Sequence, residues 1–496
     1  MTATDTGARL DAPQRTLLDL LAGVSARAPR QVLVRAPEDG TPITTWEFEE
    51  NVRRVAKGLI AEGVRPGDRV AVLAPTGYEW FVAEFAILAA GAVAVPLSPA
   101  APPAELARIL DECAVVGLFA QAPGLLERAA PLRSQLTAPA RIWPLTDGTF
   151  AELGARGAAV REPELTGRRA DTAPGSLAAL QYTAGTGGRP KCCRLTHGGL
   201  LAQVQGLVAR LGPPDRLADR DGTARTVLSL PLAGAYGRVA QLACLAAGVE
   251  ISYCPDPQRL PELLREVRPT LLLGAPELFE RLYEAARISA QTRGRARSFA
   301  SAGQLATAFN LAQQHGRPGL NLRLRRAVLN RLALGELRAG LGGRVRLAVS
   351  GGAPLGERMA RVWQGAGVPV WEAYGLSEAG GLVSLNTPDA GRVGSVGRPL
   401  PGVEVRISDS GEVLVRGPVM CAGYGTGPQA EAFGDWCGTG DTGYLDADGY
   451  LYLTGRTEEP VIAGYRRPTV PAPLDDRVHA QRQQAVPVEG GLRPGT

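Results

Sequence analysis

The apolar runs between residues 69 and 96 restrict this chain to a small set of architectures. Arg69 to Ala74 (RVAVLA) follows the turn Pro66-Gly67-Asp68 and reads as a buried strand. Glu79 to Ala90 reads as an apolar helix, and Ala92 to Pro96 as the next strand. Strand, helix and strand make a βαβ unit, so an α/β fold with helices layered on a sheet is expected. Ala104 to Ala120 reads as a second apolar, helical unit, and 121–175 as a weakly patterned, Pro- and Ala-rich connector. A second α/β block is expected over 176–390, with 284–340 helical and amphipathic. From Gly391 the pattern changes to short strands (403–407, 413–416 and 450–454) with Gly and Asp turns, which predicts a small β-rich subdomain. After Arg456 the periodicity is lost, and 457–496 reads as a frayed tail.

On this frame, Thr183 to Lys191 (TAGTGGRPK) carries the clearest chemical signal. Lys191 is one of only two lysines, the other being Lys57. The loop follows the short apolar run Leu177 to Tyr182, a predicted strand. Gly185, Gly187 and Gly188 permit tight turns with N–H groups directed inward, while Thr183 and Thr186 add hydroxyls. Such a nest, with a compact ammonium at its end, suits phosphate oxygens. The Gly-Lys-Ser/Thr ending of the common nucleotide loop is absent, and an exposed Gly-rich turn is the alternative reading.

Two further strands, Val345 to Ser350 and Val368 to Ala373, end in Gly351-Gly352-Ala353-Pro354 and Tyr374-Gly375-Leu376-Ser377-Glu378. Ligands of open α/β sheets sit beyond the carboxyl ends of strands, so these turns are expected to line one crevice. Gly351 and Gly352 would let a flat ring approach the backbone. Tyr374 offers a stacking face, Glu378 a hard oxygen for Mg²⁺, and Asp441, in Thr439-Gly440-Asp441, a carboxylate for ribose hydroxyls.

Composition narrows the partners. Apolar residues at 45% and charged residues at 21% suit a soluble globular chain. The net charge of +5 is unevenly placed: 281–338 holds 11 arginines against two acids, Glu284 and Glu336. This segment is read as a solvated helical face, with weak association with anionic membranes as the alternative. No aromatic platform interleaves with the arginines, so nucleic acid is not expected. Seven cysteines without CxxC spacing suggest reduced thiols in a cytoplasmic protein, with a peripheral membrane position as the alternative. Three histidines form no metal-ligand cluster. The amino terminus lacks the layout of a signal peptide. The longest apolar run, Phe85 to Leu97, is too short to span a bilayer.

The segments YTAGTGGRPKCCRLTHGGL, SGGAPL, AYGLSE, GRVGSVGRPLPGVEVRI, GEVLVRGP and TGDTGYLDADGYLYLTGR, in that order, resemble the adenylate-forming (AMP-binding) superfamily. They are most similar to bacterial long-chain fatty acyl-CoA synthetases, as is LLLGAPELFERLYEAA. The resemblance covers residues 10 to 456. It implies a large amino-terminal domain over 1–456, built of 1–175, 176–390 and 391–456, with 457–496 a remnant of a carboxy-terminal lid. It implies ATP, Mg²⁺ and CoA as cofactor and co-substrates, and a fatty acid or other carboxylic acid as the group activated. By resemblance, Thr183, Ala184, Gly185, Thr186, Gly187, Gly188 and Lys191 hold the β,γ-phosphates. Gly351, Gly352, Ala353, Glu372, Ala373, Tyr374 and Gly375 line the adenine and acyl-phosphate pocket. Ser377 meets the α-phosphate, Glu378 binds Mg²⁺, and Asp441 and Arg456 take the ribose.

The sequence also departs from the family. Gly234 stands where histidine is usual, Glu277 where arginine is common, and Gly187 where threonine is frequent. No lysine follows Lys191, although the family's adenylation lysine sits in the lid. Two expectations follow: a ligase, complete or served by a lid in trans, or a catalytically impaired nucleotide- or acyl-binding protein of the same fold.

Overall fold

Parallel runs that are buried on both faces must find neighbours, and their partners here are often distant in the chain. The computed structural model describes residues 15–36, 40–121, 124–129, 141–183, 190–314, 319–323, 335–426 and 434–457. All of these lie within one unit, Met1–Glu459. The first sheet has six strands in the order Arg141–Pro144, Val115–Ala120, Arg69–Leu73, Val93–Leu97, Leu177–Thr183 and Lys191–Thr196. The first five are parallel, and the sixth turns back antiparallel on the fifth. Helix Tyr78–Ala89 is the crossover of the predicted βαβ unit. It is buried almost all round, which explains its continuous apolar run. Phe81 on this helix stacks on Phe48 of helix Thr45–Ala61, with ring centroids 4.4 Å apart.

A four-stranded sheet joins Pro42–Thr44, Val32–Arg35, Glu250–Tyr253 and Arg225–Leu228. A five-stranded sheet joins Leu271–Gly274, Leu347–Ser350, Val370–Tyr374, Ser384–Leu385 and Arg398–Pro399; its first three strands are parallel. The β-rich region is an antiparallel sheet of Glu404–Ile407, Glu412–Arg416, Cys437–Leu445 and Leu451–Arg456. The sheets do not follow the chain divisions at 175/176. Val32–Arg35 pairs with Glu250–Tyr253, and Leu177–Thr183 lies beside Val93–Leu97.

Three local expectations need correction. Ala104–Ala120 is not one helical unit: helix Pro103–Glu112 stops, Ala114 turns at φ 48°, and Val115–Ala120 is a strand. Its β-branched start and apolar run fill the slot beside Arg69–Leu73. The segment 121–175 is more than a connector. Its described part holds strand Arg141–Pro144 and helices Asp147–Arg156 and Glu162–Asp171. That strand lies at the sheet edge and buries only Trp143, so its pattern is faint. Thr439-Gly440-Asp441 lies within strand Cys437–Leu445, at an irregularity between the pairs Leu414–Gly438 and Glu412–Thr442 where Gly440 is left-handed at φ 72°, and Asp441 pairs with Arg456.

The basic segment folds into helices Pro276–Thr292, Ala296–Gln314 and Gly335–Gly340 in its described part. Its two acids are engaged, Glu284 with Arg287 at 2.6 Å and Glu336 with Arg293 at 2.9 Å. All seven cysteines are free and buried. Among the described residues no helix is long and apolar enough to cross a membrane.

Candidate functional site

The two strands of the glycine loop form a hairpin that ends with Thr183 opposite Lys191. Residues 184–189, the expected phosphate nest of Ala184, Gly185, Thr186, Gly187 and Gly188, lie outside the described residues. The outer edge of this hairpin is closed from far along the chain. Arg194 donates its N–H to Gly423 O at 3.0 Å, Gly425 donates to Cys192 O at 2.9 Å, and Tyr424 bridges to Cys193. The Lys191 ammonium lies 4.8 Å from the centre of the Tyr424 ring. The Tyr424 hydroxyl donates to Glu378 Oε1 at 2.8 Å, which joins Lys191 and the acidic turn through one phenol.

Glu378 sits in the 3₁₀ turn Ser377–Ala379 that follows strand Val370–Tyr374. Several contacts fix this turn. Cys421 donates its N–H to Glu378 O at 2.7 Å. The fully buried amide of Gln203, on helix His197–Leu211, donates to Ala379 O and, at 2.6 Å, to Leu382 O, and accepts from Leu382 N at 3.0 Å. Gly375 allows the chain to double back: a Cβ there would stand 1.8 Å from Gly381 O.

Across the same strand end, the Tyr374 hydroxyl donates to Asp441 Oδ2 at 2.6 Å, and Arg456 Nε pairs with Asp441 Oδ1 at 2.9 Å. Burial, then the adjacent Asp441 charge, pushes the Tyr374 phenol up, so it stays a hydrogen-bond donor. Gly351 and Gly352 follow the neighbouring strand. Gly352 is left-handed at φ 90°, and a Cβ on Gly351 would meet the Tyr236 ring at 3.2 Å. The ring close to this backbone is thus the protein's own Tyr236, whose hydroxyl donates to Val349 O at 3.3 Å. Ser350 Oγ is buried without a partner. Glu372 is buried and accepts the Leu355 N–H at 2.9 Å, which braces the turn after Ala353. Burial pushes its carboxyl up against the pull of these backbone donors. Ala373 is buried in the strand, paired with Leu385. Gly234 caps helix Ala235–Ala247, and Glu277 is exposed in the first turn of helix Pro276–Thr292, where its charge suits the helix dipole.

The predicted residues therefore form two clusters joined by the segment 374–378. Thr183, Lys191 and Glu378 make one, and Tyr374, Asp441 and Arg456 the other. Gln203, Tyr236 and Tyr424 were not anticipated. A glutamine among apolar helix positions (LLAQVQGLV) was a usable signal, since a buried amide needs partners. Tyr424 had no local signal, because both of its charged neighbours are distant in sequence. The donor set fits magnesium shared with phosphates. Among the described residues no three His, Cys, Asp or Glu side chains gather as a cage, and Glu378 offers a single hard carboxylate beside the hairpin that carries Lys191. Residues 458–496, including the expected lid remnant, lie outside the described residues.

A family model described as AMP-binding enzyme matches residues 22–425. The chain is 39% identical over 476 residues to the long-chain-fatty-acid–CoA ligase FadD15 of Mycobacterium bovis, covering 94% of this chain and 78% of that one. Its counterpart in Mycobacterium tuberculosis is 38% identical with the same coverage. Among solved structures, ATP-bound MatB from Rhodopseudomonas palustris superposes with a TM-score of 0.67 at 25% identity, over 88% of this chain and 78% of that one. The N-terminal domain of FACL13 from M. tuberculosis gives 0.66 at 21% identity, over 89% of this chain and 100% of that one, a likeness of fold.

Proposed function

The chain belongs to the AMP-binding enzyme family, and from that membership we propose that it is an ATP-dependent ligase that joins a long-chain fatty acid to CoA. In the first step a carboxylate oxygen attacks the α-phosphorus, and the bond from that phosphorus to the α,β-bridging oxygen breaks, so that pyrophosphate leaves with the bonding electron pair. In the second, the CoA thiolate attacks the acyl carbonyl of the adenylate, and AMP leaves with the bonding electron pair. Neither step asks for a nucleophilic side chain; both ask for positioning and charge neutralisation.

The observation that carries this reading is that the segment 374–378 ties together two clusters, Lys191 and Glu378 about Tyr424, and Asp441 and Arg456 beside Tyr374. Lys191 and Thr183, opposite each other in the hairpin, take the β,γ-phosphates, a role proposed for residues 184–188 as well. Asp441, oriented by Tyr374 and Arg456, accepts the ribose hydroxyls. Ser377 lies between them and contacts the α-phosphate. Gly351, Gly352, Ala353, Ala373 and Gly375 give the adenine and acyl phosphate a close backbone wall, which Glu372 braces. Magnesium, held by Glu378 and the phosphate oxygens, would spread the negative charge that develops on the leaving group.

Incubation of the purified chain with ATP, MgCl₂, CoA and a series of saturated fatty acids should release AMP and pyrophosphate in equal amounts. Lys191→Ala should lower the rate by about a hundred- to a thousand-fold, the usual effect of one lost transition-state donor. No pyrophosphate with any acid, at high protein concentration, would overturn the proposal.

A further inference from the structure

Lys191 and Glu378 carry opposite charges and both meet Tyr424, yet the lysine does not rest on the carboxylate. It lies over the face of Tyr424, 4.8 Å from the ring centre, while the hydroxyl on the ring's edge donates to Glu378 at 2.8 Å. The phenol is fixed from both sides. Its backbone bridges to Cys193, the flanking Gly423 and Gly425 are bonded to Arg194 and Cys192, and Cys421 donates its N–H to the carbonyl of Glu378. We propose that Tyr424 is a positioning residue that holds Lys191 and Glu378 apart, each aimed at its own part of a nucleoside triphosphate and its divalent cation.

A direct Lys–Glu contact would satisfy both charges, and binding would first have to break it. The ring gives the ammonium a weak partner that phosphate oxygens readily displace. The hydroxyl gives the carboxylate one donor and leaves its other oxygen for a cation. Binding then begins from a site already arranged, with less of the interaction consumed in rearrangement. This proposal rests on the nucleotide reading above and adds to it a division of labour within one side chain.

The two halves of Tyr424 separate by substitution. ATP is titrated into the full chain by calorimetry, once with MgCl₂ and once with EDTA, for the unsubstituted protein, Tyr424→Phe and Tyr424→Leu. Thermal melting followed by circular dichroism accompanies each titration. Tyr424→Phe keeps the ring and should bind ATP in EDTA within about twofold of the unsubstituted chain. It should lose about tenfold of the magnesium-dependent gain, the scale of one hydrogen bond to a charged group. Tyr424→Leu should be weaker in both arms. On a Glu378→Gln background, Tyr424→Phe should add no further loss, a result that a merely structural role would not give. Equal losses in both arms for Tyr424→Phe, or an unchanged magnesium gain, would overturn the proposal and leave the nucleotide reading standing. No ATP binding by the unsubstituted chain would overturn both.

Discussion

Gly375 shows how little room a single position leaves at the site. A methyl group there would collide with Gly381 O at 1.8 Å and with the Leu382 Cα at 2.7 Å, so Gly375→Ala must displace the loop that carries Ser377 and Glu378. It should destabilise the fold by about 1–3 kcal/mol, the usual range for overpacking. The ATP dissociation constant should rise by at least about tenfold. Differential scanning calorimetry and isothermal titration check the two effects, and wild-type affinity would refute the second. Residues of this kind were partly legible in the sequence. Lys191 stood out by its rarity, Tyr374 and Glu378 by their place at the end of a strand, and Asp441 by a Thr-Gly-Asp pattern that lies within strand Cys437–Leu445. Tyr424 and Gln203 did not, because their partners are brought to them only by the tertiary fold.

At the scale of elements, helix Ala235–Ala247 is tied to helix Tyr78–Ala89 through a fully buried ion pair, Arg238 with Glu84 at 3.1 Å. Arg238 also donates to Gln181 Oε1 at 2.9 Å, and Gln181 donates to Ala233 O at 2.8 Å. The network therefore fixes strand Leu177–Thr183 and the turn before Gly234. Glu84 Oε2 and Arg238 Nη1 lack hydrogen-bond partners, so the pair offsets its desolvation only in part. Arg238→Met alone should cost about 3–5 kcal/mol by stranding the carboxylate, whereas Glu84→Leu together with Arg238→Met should recover most of it. Urea unfolding of the two single variants and the double variant measures the coupling; additive losses would refute it. Elements with strong periods, such as the Arg69–Leu97 βαβ unit, were readable to within a residue or two. The edge strand Arg141–Pro144 was not, since one buried side chain makes no period.

For the whole molecule, His197 links stability to pH. It opens helix His197–Leu211, is 2% exposed, and its Nδ1 has no partner. Burial pushes its pKa down to about 4 from 6.5. The native state therefore refuses a proton that the unfolded chain accepts. Stability present above pH 6.5 should be lost as pH falls toward 4, by about 3 kcal/mol in all. Unfolding midpoints between pH 7.5 and 4.5 should fall more steeply for the native sequence than for His197→Gln, and parallel curves would refute the assignment. Sheet membership was the least legible property at this scale, because Val32–Arg35 and Leu177–Thr183 take partners across the division drawn at 175/176. The closure of strand Lys191–Thr196 by Gly423 and Gly425 has a consequence in time. During synthesis the open edge of that strand must wait, unpaired and exposed to other chains, until Gly425 has emerged. The hairpin that carries Lys191 is thus completed only after residues 197–422 have followed it out of the ribosome.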